Sequence, residues 1–446
     1  MRAPVNCPSC GMIPTKRLIA LFALGIPFGA IAAAAGSPWF LVAYNLALVG
    51  MAYLTFRIAP SGRDLQLRRR SDPVLSVRVS NRIELRLLND GPHDLEGVLR
   101  DEPPTTYLAD RKEFPLRLRA GEEQQVVYHV TPPERGSDYF RGTFLRLKCP
   151  FGLVEKQVRL STEQPVRVYP NVLALREFDL LQQRGRLNQI GIRFSRTRGL
   201  GTEFESLRDY GEGDDFRKID WKASARKNKL VVKQFEQERS QSVLICIDTG
   251  RRMFSEVNGV TKLDHALDSL LLLAHAAALA GDFIGLLVYS DVVKRYIPPR
   301  KGRAQVGAII EATHDLTAEP VESDPLLAFS YLQSRYKKRS LLVSFTDVDD
   351  PEEAKRLTAA VGPVARRHLC LLARVGDPNL KELTEGSLDE LDDLYLRAGA
   401  LLFSEQRQAA AGVLESARIH SLEAEPQDLA GALVSFYFQV KERSLL

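Results

Sequence analysis

The sequence is short of cysteine, histidine and tryptophan, and it holds none of the common local catalytic signatures. Its five cysteines, in 446 residues, are Cys7, Cys10, Cys149, Cys246 and Cys370. That is too few for a disulfide framework in a chain of this size, and it suits a reducing compartment. Cys246 and Cys370 stand inside apolar runs that read as buried strands. Cys7 and Cys10 make a single C-x-x-C, and nothing nearby supplies the two further ligands of a zinc site. Met12 is a second candidate start, which would leave that pair outside the protein. The seven histidines show no H-E-x-x-H spacing, and His265 and His275 read as core or surface residues of a helix. No G-x-x-x-x-G-K-[ST] is present, no G-x-G-x-x-G follows a strand, and no G-x-S-x-G elbow occurs. These absences remove the local signatures of P-loop, dinucleotide and serine-hydrolase sites. The expectation is a protein that is not an enzyme.

What the chain does have, early on, is two long runs without charge. Residues 18–35 and 39–56 are each 18 residues long, enough to span a hydrocarbon core of roughly 30 Å. A Gly-Ser-Pro turn at 36–38 joins them, so the expectation is an N-terminal transmembrane helical hairpin within residues 1–60. A signal peptide fits poorly, because a second apolar span follows at once. Lys16 and Arg17 precede the pair, and Arg57, Arg63, Arg68, Arg69 and Arg70 follow it. The positive-inside rule then puts both ends, and all that follows, in the cytoplasm. The arginine run reads as a contact to anionic lipid or as a solvated strand end.

Residues 61–170 change character. Short alternating runs at 75–80, 83–88, 114–120 and 123–130 are punctuated by turn residues at 89–91, Gly121, Pro132, Pro133 and Gly136. Seven or eight such strands imply an all-β, immunoglobulin-like sandwich, with no chemical constellation in it. Residues 241–446 alternate buried-type strands (242–248, 283–291, 340–348, 369–377) with helical stretches such as 263–282, which Gly281 would end. That rhythm implies a largely parallel, Rossmann-like α/β domain. Ligands in such folds sit at the carboxyl ends of the strands, where Asp248, Asp291 and Asp347 fall.

A D-x-S-x-S loop at the end of the first strand, with a later Thr and Asp, binds a divalent cation through hard oxygen donors that suit magnesium or manganese. Here the loop reads Asp248, Thr249, Gly250, Arg251, Arg252. Glycine and arginine replace the two serines, and a guanidinium offers no lone pair. Asp347 would be the later carboxylate, and Thr317 or Ser323 the hydroxyl, but two ligands are lost. Arg251 or Arg252 would pair with Asp248, Asp347 or an acidic partner. No cofactor is therefore expected. The alternative function is a cation-dependent ligand-binding or hydrolytic domain centred on Asp248 and Asp347.

Between the soluble domains, residues 171–240 form a linker and a charged segment. Residues 182–239 hold 14 Lys and Arg against 9 Asp and Glu, matching the whole chain's net charge of +5. The acids are interleaved and the aromatics are not spaced for stacking, which argues against nucleic acid. The densest part is LRDYGEGDDFRKIDWKASAR (207–226). Gly211 and Gly213 permit a turn, and Asp214 would cap a helix starting near Asp215, with Phe216, Ile219 and Ala223 on one face and Lys218 four residues after the cap. Asp209, Asp215 and Asp220 with Arg208, Arg217 and Arg226 could instead close a salt-bridge network around Trp221. A solvated capped helix, acid/base catalysis by paired carboxylates and a docking element all remain open on these residues, with docking favoured.

The segment GTEFESLRDYGEGDDFRKIDWKASARKNKLVVKQFEQER (201–239) resembles the signature of the domain-of-unknown-function 58 family. ERGSDYFRGTFLRLKCPFGL (134–153) and VRVYPNV (166–172) resemble that family's strand pair and lead-in. The resemblance covers nearly the whole chain. It implies a bacterial inner-membrane protein with a von Willebrand factor A-like C-terminal domain. It also implies a MoxR-type AAA+ ATPase partner and a transglutaminase-like membrane protein nearby. The docking residues it points to are Arg208, Asp209, Tyr210, Gly213, Asp214, Asp215, Arg217, Asp220, Trp221 and Arg226. Gly250 and Arg252 depart from the metal-binding A-domain pattern. The function expected is a cytoplasmic scaffold or adaptor held at the membrane.

Overall fold

The computed structural model describes residues 11–34, 39–59, 65–71, 74–172, 174–175, 178–180, 203–211, 216, 219–236, 240–385 and 391–443. The chain divides into two compact units, Met1–Asn171 and Val172–Leu446.

The first unit opens with strand β1 (Gly11–Pro14), helix α1 (Lys16–Ala34) and helix α2 (Trp39–Ile58). Thr15 starts α1, its carbonyl accepting from Ile19 N at 3.1 Å. The Tyr44 hydroxyl donates to the Leu21 carbonyl at 2.9 Å and ties the two helices together. Within α2, Leu41–Ile58 is long and apolar enough to cross a membrane, with a mean hydropathy of 1.5. Its 20 residues make a rod of about 30 Å. The expected turn at 36–38 lies outside the described residues, as do Cys7 and Cys10.

The rest of this unit is β-structure, antiparallel but for one short parallel pair, Leu75–Ser76 with Val168–Tyr169, around one core. A five-stranded sheet runs β1–β11–β10–β5–β7, using β5 (Leu95–Asp101), β7 (Glu113–Leu118), β10 (Thr143–Lys148) and β11 (Val154–Leu160). A four-stranded sheet runs β2–β4–β8–β6, using β2 (Leu65–Ser71), β4 (Asn81–Asn89), β6 (Leu108–Ala109) and β8 (Glu123–Thr131). A third, small sheet runs β3–β12–β9, from β3 (Leu75–Ser76), β9 (Gly136–Phe140) and β12 (Gln164–Tyr169). Period-two alternation in β4 buries Ile83, Leu85 and Leu87 completely or nearly so, and they share a core with Leu99, Leu145 and Val158. The run 75–80 is not the six-residue strand its alternation predicts. Arg78 takes φ +56°, and the Asn81 side chain accepts from Ser76 N and donates to the Val79 carbonyl, so side-chain bonds turn the chain there.

Arg69 corrects a second expectation. It is neither lipid-facing nor solvated: its side chain is 1% exposed and is bonded to Asp101, which is fully buried. Asp101 also accepts from the Tyr128 hydroxyl at 2.5 Å and the Thr143 hydroxyl at 2.7 Å.

The second unit carries a two-stranded hairpin and an α/β domain. The hairpin pairs β13 (Glu203–Asp209) with β14 (Val231–Glu236), and helix α3 (Trp221–Lys227) lies in the chain between them. The α/β sheet has the order β19–β18–β15–β20–β21–β22. Its strands are β15 (Ser242–Asp248), β18 (Phe283–Tyr289), β19 (Val293–Arg300), β20 (Leu341–Phe345), β21 (Leu369–Val375) and β22 (Ile419–Ala424). The short pair β16 (Glu256–Val257) and β17 (Val260–Thr261) precedes helix α4 (Lys262–Leu279). Every pairing in the large sheet is parallel except β18 with the edge strand β19. In chain order the strands stand 3-2-1-4-5-6, so the crevice where the order reverses lies between β15 and β20.

Helices cover both faces. Val243, Ile245 and Ile247 of β15 pack with α4 and α10 (Pro426–Glu442), while Leu244 and Cys246 pack with α6 (Pro325–Arg335) and α7 (Pro351–Ala365). Burial on both faces explains why β15 is apolar throughout instead of alternating. The remaining helices are α5 (Arg303–Thr313), α8 (Pro378–Glu385) and α9 (Leu391–Ser416).

Candidate strand-end site and signature hairpin

At the β15–β20 crevice the chain brings together Asp248, Ser323 and Thr346. Asp248 is 1% exposed. Its Oδ1 accepts from Gly250 N at 2.8 Å and from the Ser323 hydroxyl, and its Oδ2 accepts from the Thr346 hydroxyl at 2.7 Å. The 319–324 loop is held over the strand ends by backbone bonds, Arg251 N to Val321 O and Asp324 N to Ser290 O, each 2.8 Å. Thr249 is buried and donates its hydroxyl to the Tyr289 carbonyl. Thr317 and Asp291 are exposed and take no part in this cluster.

Arg252 sits on a single 3-10 turn, Arg251–Met253, directly after β15. Its guanidinium pairs with Glu353 at 2.7 Å and lies 3.7 Å from Glu322, while Arg251 pairs with Glu322 at 3.3 Å. Both arginines therefore meet glutamates, and Arg252 meets Asp347 only at its backbone carbonyl. Glu353 reaches the site because Asp350 caps α7, accepting from Glu352 N and Glu353 N, with Pro351 at the first helical position. Burial raises the Glu353 carboxyl above its usual range, with the Arg252 charge opposing. A cleft of about 540 Å³ opens here, lined by Asp248, Arg252, Glu322, Ser323, Glu353 and Arg356 among others.

Asp347 belongs to a different network. Its carboxylate is bonded to Lys262, the first residue of α4, and lies 3.3 Å from Arg407 of α9. Arg407 also binds Asp349 at 2.6 Å and Glu423 of β22 at 3.1 Å, and Arg374 of β21 binds Glu423 at 2.8 Å. Burial pushes the Asp347 carboxyl up, but the Arg407 and Lys262 charges outweigh it and hold it below the usual range. For Asp349 the balance is reversed: burial and the Asp347 charge leave it raised.

The donor set does not fit a divalent cation. Asp248 has both oxygens satisfied by internal donors, Asp347 is committed to two side-chain cations, and a third cation, the Arg252 guanidinium, enters the cleft. A Cβ on Gly250 would come within 2.1 Å of Ser323 Oγ and 2.8 Å of Val321 O, so a serine has no room in this arrangement. Ser323, one of the two hydroxyls expected, does bond Asp248, whereas Thr346, the second hydroxyl on that carboxylate, was not among the sequence candidates. Its signal is its place one residue beyond the buried run of β20.

The signature segment folds differently from its sequence-level reading. Arg208 and Asp209 end β13, and Asp209 pairs with Lys229 at 2.7 Å between two exposed side chains. Gly213, Asp214, Asp215 and Arg217 lie outside the described residues. A described helix starts at Trp221, and Asp220 caps it by accepting from Ala223 N at 3.0 Å; the start expected near Asp215 lies outside the described residues. Ile219 is bridged in extended form to Val232, so the residue before the cap cannot be helical. Asn228, at φ +55°, closes the helix. Tyr210 stacks at a tilt on Phe216, with ring centroids 5.4 Å apart. Phe216 and Trp221 are each 66% exposed and Arg226 is exposed, while Asp215 and Arg217 of the expected ion-pair network lie outside the described residues. His275, read as a core or surface residue, is buried and contacts Asp179 at 2.6 Å.

A family model described as "Protein of unknown function DUF58" matches residues 206–407, from the signature hairpin to Arg407. The chain is 29% identical over 173 residues to the uncharacterized protein YeaD of Bacillus subtilis, covering 38% of this chain and 41% of that one. It is 25% identical over 189 residues to the uncharacterized protein Rv1480 of Mycobacterium tuberculosis, covering 42% and 59%. The chain thus spans about half the length of the curated relatives it matches. Among solved structures, the conserved hypothetical protein BatB from Bacteroides thetaiotaomicron aligns with 46% of this chain and 99% of its own, at 14% identity and a TM-score of 0.29. The CARDB domain of the PF1109 protein from Pyrococcus furiosus aligns with 24% and 92%, at 15% identity and a TM-score of 0.18. Residues 206–407 thus match the family of proteins of unknown function, DUF58, that the signature segment resembles.

Proposed function

We propose that this protein is a membrane-anchored adaptor whose soluble units face the cytoplasm of a bacterial cell and engage a protein partner. The observation that carries the reading is the internal satisfaction of Asp248 and Asp347. A strand-end face so paired offers shape and charge to a partner but no free reacting group. The 3-2-1-4-5-6 sheet with an antiparallel edge strand supports a von Willebrand factor A-like domain that has exchanged its cation for arginine. The exposed Phe216 and Trp221 support docking by the signature hairpin, since exposed aromatics are favoured anchors. Helices α1 and α2 serve as the membrane hairpin in this reading. Lys16, Arg17 and Arg57, all exposed at the sandwich-side ends of these helices, support the cytoplasmic orientation.

The partner proposed is a AAA+ ATPase of MoxR type, with a transglutaminase-like membrane protein as a further component. Affinity purification of the full chain from native membranes in mild detergent tests this. The parent chain should recover such an ATPase, and a Phe216→Ala, Trp221→Ala chain should lose it. Recovery of no ATPase by the parent chain overturns the partner assignment.

A further inference from the structure

We infer that the Pro150–Gly152 turn, together with the basic ends of α1 and α2, is a seat for the bilayer surface. It would fix how the β-unit stands on the membrane instead of leaving it tethered by two helices alone. The inference rests on the reading of α1 and α2 as a membrane hairpin.

The ends of both helices are bonded to the sandwich close to this turn. Thr15, just before α1, has its hydroxyl 2.7 Å from the Gly152 carbonyl and 2.8 Å from that of Leu153. Ala59, just after α2, accepts from Lys156 Nζ at 3.1 Å, and the same ammonium lies 5.1 Å from the centre of the Phe56 ring. Leu18, Ala52, Cys149, Leu153 and Val154 pack in one cluster beneath. The helices therefore leave the sandwich from a fixed platform.

That platform carries a sharp change of polarity. Lys16, Arg17 and Arg57 are exposed at the sandwich-side ends of the helices. Within one turn of them, Ile19 is 58% exposed and Ile58 is 64% exposed. Exposed cations beside exposed aliphatic side chains match the headgroup-to-acyl boundary of a bilayer, where ammonium and guanidinium groups meet lipid phosphate.

Phe151 stands at this level. A Cβ on Gly152 would lie 3.2 Å from Arg17 Nη1, which places that guanidinium over the turn. Phe151 is 79% exposed and holds φ +65°, a conformation a bulky non-glycine residue adopts only at a cost. The exposed ring is thus presented by a turn whose flanks are anchored, and water rewards neither the ring's exposure nor its backbone. An aromatic ring at the interfacial layer is favourable, and phosphates there complement Lys16, Arg17 and Arg57.

The test uses the full chain in lipid nanodiscs. Trp39 and Trp221 are replaced by Phe, and Phe151→Trp becomes the reporter; a second chain keeps Trp39 as its one indole. Shallow spin-labelled lipids should quench the Phe151→Trp reporter more than deep ones do. Lys16→Glu with Arg17→Glu should weaken that quenching on anionic discs. A quenched Trp39 beside a water-like, unquenched Phe151→Trp reporter overturns this inference alone. If neither indole is quenched, the membrane hairpin falls and the inference with it. Hydrogen exchange on the unmodified protein gives a second reading. Amides of 151–153 should exchange more slowly in anionic than in zwitterionic nanodiscs, and equal exchange overturns the seat.

Discussion

The Thr346 hydroxyl donates to Asp248 Oδ2 at 2.7 Å, while the next residue, Asp347, is bonded to Lys262 and Arg407. Two adjacent residues at the end of β20 thus serve two separate networks. One holds the strand-end loop together through neutral hydroxyls. The other ties α4, α9, β21 and β22 together through charge. The two carboxylates that could have shared a cation are divided between these tasks.

Magnesium or manganese should therefore bring neither heat nor a thermal shift to the full chain. Calorimetry and melting with and without a chelator check this. A cation-dependent shift that disappears in Asp248→Ala would restore the metal-binding alternative. Arg252→Ser alone should not create a site, because Lys262 and Arg407 still hold Asp347.

Gly250→Ser should destabilise the α/β domain by about 1–3 kcal/mol, the usual cost of overpacking a filled site. The new Cβ would meet Ser323 Oγ at 2.1 Å and Val321 O at 2.8 Å. A serine hydroxyl can rotate away, but the carbonyl cannot, so Ser323→Gly should recover only part of the loss. A fully stable Gly250→Ser chain in chemical denaturation would show that the loop yields more easily than its bonds suggest.

Arg407→Met should cost about 3–5 kcal/mol, because it leaves buried carboxylate charge short of a partner. Arg407 is 6% exposed at its side chain and serves Asp347, Asp349 and Glu423. The pH dependence has a definite sign. Asp347 is held below its usual 3.8 in the fold, so its contribution is present above 3.8 and is lost as pH falls through the lowered value. Asp349 is raised and works the other way: its contribution is present below 3.8 and is lost as pH rises through the raised value. Denaturant unfolding between neutral pH and pH 3 should show a shallower acid limb for Asp347 in Arg407→Met than in the parent, with Asp349→Asn in both chains to remove the opposing group. Unchanged limbs would show that Lys262 alone lowers Asp347.

The α/β domain was more legible than the site it carries. β15 is an unbroken apolar run ending in a carboxylate, and burial on both faces leaves that mark in any sequence. β22, reading IHSLEA, is only partly buried, and its mixed composition hides it. The strand-end chemistry was half visible. The loss of two serines at Gly250 and Arg252 could be read directly, but the partner chosen by each charge could not. Arg252 finds Glu353, about a hundred residues away, because a helix cap aims that glutamate. Trp221 was visible as an unusual residue in a charged block, yet its helix is capped at Asp220 because Ile219 is bridged to Val232, a pairing that no local pattern shows. Arg69 was the least legible. Three consecutive arginines look alike until β2 pairs with β4 and turns the middle one inward.

That inward arginine gives a last prediction. Arg69 and Asp101 join strands of the four- and five-stranded sheets in the middle of the β-unit, with the guanidinium 4.7 Å from the centre of the Phe140 ring. Arg69→Met leaves the Asp101 carboxylate with the Tyr128 and Thr143 hydroxyls alone in an apolar interior. The expected loss is about 3–5 kcal/mol, much of it the cost of the stranded charge. Asp101→Leu alone strands the guanidinium and should cost a similar amount. The double variant removes both charges and should cost clearly less than the sum. Because a two-unit chain need not unfold in one step, the measurement is hydrogen exchange of β5 and β10 amides, not a single melting point. Strict additivity would mean that the two residues act independently and that the pair does not lock the sheets together.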